Sequence, residues 1–400
     1  VSDTNQQRTL ALAWAAIGLA TLIATLDGTV NVAFPAITEY FRIAPAQIQW
    51  IISVFVLTQA ALTIGFGWLA DRFGHRVVFL SGLALSTVAL SLCALATTYP
   101  ALVGFRILQG LGAALIMACA PALASFLMPG AQRRRAMGYF TMWLGLGFFL
   151  GPLLGGWLVQ SFDWPGAFLI RVPMALCALV LIWRLPIIGQ SDDLVQTEPQ
   201  KRNKLNLMRN TAFIRLQFAS VMINLTTFTI LLLTPFLFIN WPGFSVVTVG
   251  LMLALYPLGI LIAGLISARF SERVPSGSLL ISGMFIAGSA LCAAGGFGAI
   301  THTVAMAIAL FTVGFGQGLF QSAHFDLTLA AVDAKDRGVA GSIGVVSRLL
   351  GFLLSAHLMM RLHQALQQHE PALPADYGQS LAIAGATLIV FCAYFAWRAR

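Results

Sequence analysis

The sequence predicts an all-α integral membrane protein: twelve spanning helices arranged as two related bundles of six. Three observations predict it. Of the 400 residues, 58% are hydrophobic and 9% charged, with a mean hydropathy of +0.86. A soluble domain carries about 25% charged residues, so lipid is the solvent for most of this surface. Apolar runs of the length a bilayer requires, about 20 residues, recur twelve times. A charged loop motif near residue 70 also returns in weakened form 197 residues later, close to half the chain length. Repetition at that spacing fits a protein built from two related halves.

The runs 11–37, 46–69, 77–97, 100–128, 136–160 and 165–185 predict a first bundle within residues 1–186. The runs 213–240, 246–268, 277–297, 303–331, 338–362 and 379–397 predict a second within 213–400. The polar stretch between them, residues 187–212, reads as a cytoplasmic linker. The net charge of +9 follows the same plan. With the N-terminus inside, eighteen Lys and Arg fall on inward segments, Arg133, Arg134 and Arg135 among them. Only Arg42 and Arg361 fall outside, and Arg106, Arg171 and Arg348 lie within spans. This positive-inside bias predicts two cytoplasmic termini in a cell inner (plasma) membrane, and it reads the basic balance as topology rather than nucleic-acid binding. The first apolar run is too long for a cleavable leader. The five cysteines, Cys93, Cys119, Cys177, Cys292 and Cys392, are scattered singly, without disulfide or metal spacing.

The repeated motif reads Gly67-Trp-Leu-Ala-Asp71-Arg72-Phe-Gly74-His-Arg76, and its second copy Gly264-Leu-Ile-Ser-Ala268-Arg269-Phe-Ser-Glu-Arg273. Gly67 permits close helix approach, Gly74 supplies a turn that a side chain would obstruct, and Arg72 and Arg76 anchor the loop at the inner surface. The motif closely resembles the signature loop between the second and third helices of the major facilitator superfamily of transporters. That resemblance implies the major facilitator fold, two pseudo-symmetric six-helix bundles around a midplane cavity, and alternating access by rocking one bundle against the other. It also implies a conformational latch at Asp71 and Arg72. Ala268 stands where the second copy would carry its carboxylate, so a latch there is weakened.

Further motifs sharpen the resemblance. In the fifth helix, Gly147, Gly151 and Gly155 recur every four residues beside Pro152, a flat stripe for close backbone packing. It looks like the antiporter signature of the superfamily's drug:proton exporters. The first helix reads Leu26-Asp27-Gly-Thr29-Val-Asn31-Val-Ala33-Phe-Pro35, similar to the helix-one signature of the same exporters, with Asp27 and Asn31 four residues apart on one face. Arg106 and Arg348 stand in segments that resemble helix-four and helix-eleven patterns of these families.

Of fourteen acidic residues, only Asp27 and Asp326 fall clearly inside spans. A carboxylate in a bilayer must be paired, hydrated or protonated. Asp27 is the leading proton-coupling residue, and Arg106, at a compatible depth on the fourth helix, is the group it would meet and release. Asp326 lies near the inner end of the tenth helix, with Arg348 as its expected partner, and His324 is a further titratable candidate. Arg171, about six residues from the outer end of its span, is expected to snorkel outward. Substrate-cavity candidates are Asn31, Gln109, Met117, Trp143, Asn224, Phe228, Gln317, Gln321 and Arg348.

There is no GxxxxGK[ST] phosphate loop, so ATP is not the energy source, and no grouping of catalytic residues suggests an enzyme. His357, His363 and His369 recur every six residues, not the spacing of one helical metal face, and no cofactor is implied. The expected partners are a small-molecule substrate, protons and the lipid bilayer, with a monomer as the working unit. The reading is a proton-coupled antiporter exporting amphipathic drugs or toxic compounds. A transporter of one metabolite (an organic acid, sugar or lipid precursor) and a non-transporting membrane sensor remain open beside it.

Overall fold

The computed structural model describes residues 3–43, 47–128, 132–185, 210–239, 246–296, 303–367 and 373–398. The expected linker lies outside these up to residue 209. Twelve helical stretches among the described residues are long and apolar enough to cross a membrane, from Arg8–Val32 to Tyr377–Trp397. They are numbered here as spans in chain order. The described residues contain no strand, as expected where a backbone must satisfy its own hydrogen bonds in lipid.

The first span is not one continuous helix. It runs as Asp3–Thr25, loosens at Leu26 and Asp27, and resumes over Gly28–Val32. At the break the ladder tightens to i−3 bonds, Thr29 N–H to Leu26 O at 3.2 Å and Val30 N–H to Asp27 O at 3.0 Å. Gly28 follows immediately, with the weakest helix preference of any residue but proline. The hydroxyl of Thr29 then reaches Ala167 O at 3.1 Å, tying the broken turn to the sixth span. Asp27 therefore sits at an interruption in the helix rather than on a regular face. A second interruption, at Asp163 (φ 56°), divides the continuous helical stretch Arg133–Leu169.

The chain divides into two compact units whose bounds exchange short segments. Unit 1 comprises residues 1–136, 150–209 and 328–346; unit 2 comprises 137–149, 210–327 and 347–400. Within unit 1, a Cβ on Gly67 in the second span would collide with Ser342 Oγ and come within 2.6 Å of Gly338 O, at the start of the eleventh. Within unit 2, a Cβ on Gly264 in the eighth span would lie 2.5 Å from Met142 N and 2.9 Å from Gly138 O, on the fifth. The two copies of the motif thus supply the same device: a glycine that lets one helix backbone lie against another.

The glycine stripe of the fifth span is used the same way. Cβ atoms on Gly151 and Gly155 would lie 3.0 Å from Gly28 Cα and 3.0 Å from Val32 Cβ, so this stretch packs directly on the broken first span. Upstream, Gly145 presses on Leu261 of the eighth span, where an added Cβ would be 2.5 Å from the backbone nitrogen. Gly147 is buried, and Pro152 interrupts the donor pattern between Gly151 and Gly155.

These contacts predict a position-dependent cost. Gly155→Leu should lower the thermal unfolding midpoint of the purified protein, consistent with about 1–3 kcal/mol of overpacking. Gly104→Leu, where nothing lies within 4 Å of an added Cβ, should leave it nearly unchanged. Equal midpoints for the two variants would contradict this account of the stripe.

Candidate functional site

At the break in the first span the Asp27 carboxylate meets two arginines. Arg106 of the fourth span holds it with both terminal nitrogens, Nη1 to Oδ1 at 2.8 Å and Nη2 to Oδ2 at 2.6 Å. Arg171 of the sixth span donates Nη1 to Oδ1 at 3.0 Å. The two-pronged Arg106 contact is the geometry in which guanidinium and carboxylate match best. Both arginine side chains are wholly buried, while that of Asp27 keeps 17% exposure.

Arg106 is fixed on every side. Its Nε donates to Ile51 O at 2.9 Å, its Nη1 also reaches Gln109 Oε1 at 2.7 Å, and its guanidinium lies 4.4 Å from the Phe55 ring centroid. Arg171 is not. Its only described hydrogen bond is to Asp27, and its buried Nε and Nη2 have no partner. One carboxylate between two guanidiniums leaves the cluster with a formal charge of +1.

Gln109, expected in a substrate path, joins this cluster, its Nε2 3.4 Å from Asp27 Oδ1. The signal was present in the sequence, since Gln109 follows Arg106 by three residues and shares its face. Arg171 is a correction. It does not snorkel outward but turns in to Asp27, because a buried carboxylate attracts it more than the interface does. Asn31 is exposed and Met117 is buried core.

In unit 2 the polar candidates converge. Gln317 donates Nε2 to Asn224 Oδ1 at 2.8 Å and accepts from Thr227 Oγ1 at 3.2 Å. The Tyr256 hydroxyl donates to Thr227 Oγ1 at 3.4 Å, and Asn224 Nδ2 donates to Ser220 O at 2.7 Å. Gly351 lets the eleventh span approach the seventh here, its added Cβ 2.6 Å from Asn224 Cβ. Phe228 pairs with Phe352, ring centroids 4.8 Å apart. Thr227, Tyr256 and Phe352 escaped sequence reasoning, since common residue types within apolar runs carry no signal of their own.

Asp326 does not pair with Arg348. It accepts a 2.6 Å hydrogen bond from Ser276 Oγ at the start of the ninth span, while the Arg348 guanidinium lies 6.0 Å from the Phe148 ring centroid. His324 is buried, stacked on Phe320 at 5.5 Å. Gln321 is buried with no partner for its Nε2. Trp143 is partly buried.

The loop motif forms a third constellation, within unit 1. Asp71 accepts from the backbone N–H of Gly338 at 2.8 Å and of Val339 at 3.0 Å, capping the helix that begins at Arg337. A carboxylate at a helix N-terminus satisfies orphan donors and complements the helix dipole. His75 Nε2 lies 3.3 Å from Asp71 Oδ1. Gly74 turns at φ 93°, which L side chains rarely adopt. Arg76 Nη2 donates to Ile182 O and Trp183 O, at 3.2 and 2.8 Å, near the end of the sixth span. Arg72, assigned to the latch, is exposed and rests beside Trp68 and Phe73 of its own helix.

Twelve candidate spans carrying a buried ion-pair cluster in unit 1 and a polar seam in unit 2 define a polytopic membrane protein. The profile of the Major Facilitator Superfamily matches residues 16–356, and the chain belongs to that family. Its relatives include the riboflavin transporter RibZ of Clostridioides difficile, 23% identical over 94% of each chain. The methylenomycin A resistance protein of Streptomyces coelicolor is 27% identical over 84% of this chain and 82% of its own. Among solved structures, the proton:xylose symporter XylE shares the fold with a TM-score of 0.74 at 16% identity, over 98% of this chain and 96% of that one.

The cluster's charge balance predicts unequal mutants. Asp27→Ala strands two buried cations and should cost about 3–5 kcal/mol. Arg171→Met removes the surplus charge and should cost under about 1 kcal/mol. Thermal unfolding in detergent measures both, and Arg171→Met as damaging as Asp27→Ala would refute the +1 assignment.

Proposed function

We propose that the chain is a proton-coupled antiporter that exports amphipathic organic compounds, drugs among them, by alternating access. The observation that carries this reading is the placement of Asp27. It is a carboxylate at a helix break, bound to one firmly anchored arginine and one loosely anchored one, against the glycine stripe of the fifth span. Protonation of such a carboxylate weakens both ion pairs at once, and the break gives the first span a place to bend when they part. The resistance function of the methylenomycin A relative supports the outward direction.

Asp71 serves as the conformational latch in this scheme. Its bonds to Gly338 and Val339 join the second span to the eleventh, and they exist only while those helix ends meet. Asp326, with its Ser276 partner, takes a structural role, and His324 stands as a reserve titratable group. The protein works as a monomer in the inner membrane, with both termini in the cytoplasm.

A second reading, transport of one defined metabolite, is favoured by the riboflavin-transporting relative, which aligns along nearly the whole chain. Proteoliposomes with an internal pH dye and an imposed gradient separate the two. The panel comprises riboflavin and amphipathic cations, neutral compounds and anions. The expected result is substrate-evoked proton movement with several compounds, abolished by Asp27→Asn. Response to riboflavin alone would select the metabolite reading, and flux that survives Asp27→Asn would remove Asp27 from coupling.

A further inference from the structure

Among the described residues, unit 2 holds a buried cation with no ion-pair partner. Arg348, mid-way along the eleventh span, is 6% exposed, and its buried Nε has no hydrogen-bond partner. No described carboxylate forms an ion pair with it; the span carboxylate of the unit, Asp326, is engaged by Ser276. An arginine stays charged wherever it is placed, and a buried charge that lacks compensation is among the costliest features a fold can carry. Arg106 in unit 1 shows what a compensated arginine looks like, with its carboxylate, amide and carbonyl acceptors.

The described contact of the Arg348 guanidinium is an aromatic ring, not an acceptor. The polar seam beside it is internally satisfied: the side-chain oxygens of Asn224 and Gln317 already accept hydrogen bonds. On the tenth span, the buried Nε2 of Gln321 has no partner among the described residues. Gln321 lies three residues before His324, on the same helix face. Apolar surface adjoins the donors. Phe148 lies beside the guanidinium, and Phe352, one turn beyond Arg348, pairs with Phe228.

We propose that Arg348 and Gln321 form a subsite for an anionic, oxygen-bearing group, and that the transported compounds are amphipathic organic anions whose apolar bodies lie on Phe148, Phe228 and Phe352. The proposal rests on the reading of the chain as a transporter of small organic compounds, but not on proton coupling. Its test therefore measures binding, with no gradient, so that failure of coupling and failure of the subsite give different results.

Four probes share a naphthalene body: 2-naphthoate, 2-naphthyl phosphate, 2-naphthalenemethanol and trimethyl(2-naphthyl)ammonium. Binding to the purified full chain is followed by thermal shift in detergent, with sodium chloride and inorganic phosphate as separate arms. At least one anionic probe should bind about tenfold more tightly than the neutral one, as a charge-assisted hydrogen bond allows. Arg348→Gln should abolish that preference, and Arg348→Lys should retain part of it. Without ligand, Arg348→Gln should unfold at a higher temperature than the wild type, because an uncompensated charge has been removed. An arginine that merely braces the fold would give the opposite shift or no folded protein, and either result overturns the proposal. So does a wild type that prefers the neutral or cationic probe or binds none, an anion preference that survives Arg348→Gln, or an inorganic anion that gives the whole effect alone.

Discussion

The charge on Asp27 is the constraint around which the first unit is organised. In hydrocarbon an unpaired carboxylate is prohibitive, so the residue requires cations from other helices, and those cations must themselves be held. The consequences can be followed outward. Arg106 reaches the carboxylate from the fourth span and is steadied by Ile51 O, Gln109 and the Phe55 ring. Arg171 arrives from the sixth. The break at Leu26 and Asp27 is secured by Thr29 bonding across to Ala167, and Gly151 and Gly155 bring the fifth span flush against the segment that follows. The Asp27 carboxylate thus joins the first, fourth and sixth spans directly.

That dependence explains which parts of the architecture were legible in the sequence. Hydropathy is nearly sufficient for counting spans, because lipid punishes every polar residue alike. The same rule made Asp27 and Arg106 conspicuous as rare charges. It did not make Arg171 legible. Depth along one helix says how far a guanidinium lies from the interface, but not whether a carboxylate on another helix offers a shorter route to a partner. Asp326 fails for a related reason. Asp326 and Arg348 are the two remaining span charges of the second half, yet the hydrogen bond to Asp326 comes from a serine at the start of the ninth span, which no one-helix argument could see.

Local spacing along a helix carries some of the site's contacts. Gln109 follows Arg106 by three residues and His75 follows Asp71 by four, the intervals at which helix side chains meet. Both pairs are formed. By contrast, the backbone donors of Gly338 and Val339 that receive Asp71 lie 267 and 268 residues away. A carboxylate that seeks a helix N-terminus leaves no mark on the partner's sequence, since any residue supplies an N–H. The sequence can name the capping group but not the helix it caps.

The two copies of the loop motif show how one packing device can be given two chemistries. Gly67 in unit 1 and Gly264 in unit 2 each let a helix backbone come within contact of another, against Gly338 and against Gly138 respectively. In the first copy the approach is completed by Asp71, whose hydrogen bonds can be exchanged for bonds to water with a net loss of only about 1.5–3 kcal/mol where a charge is involved. In the second, Ala268 offers no polar group, and its backbone lies where a Cβ on Gly138 would stand. Separating that contact exposes close-packed backbone and methyl surface with nothing to replace it, since dispersion contacts fall away within a fraction of an ångström. On the alternating-access reading, the asymmetry therefore has a direction. The approach made through Asp71 is the one built to be broken and remade, and the one made through Ala268 is built to hold.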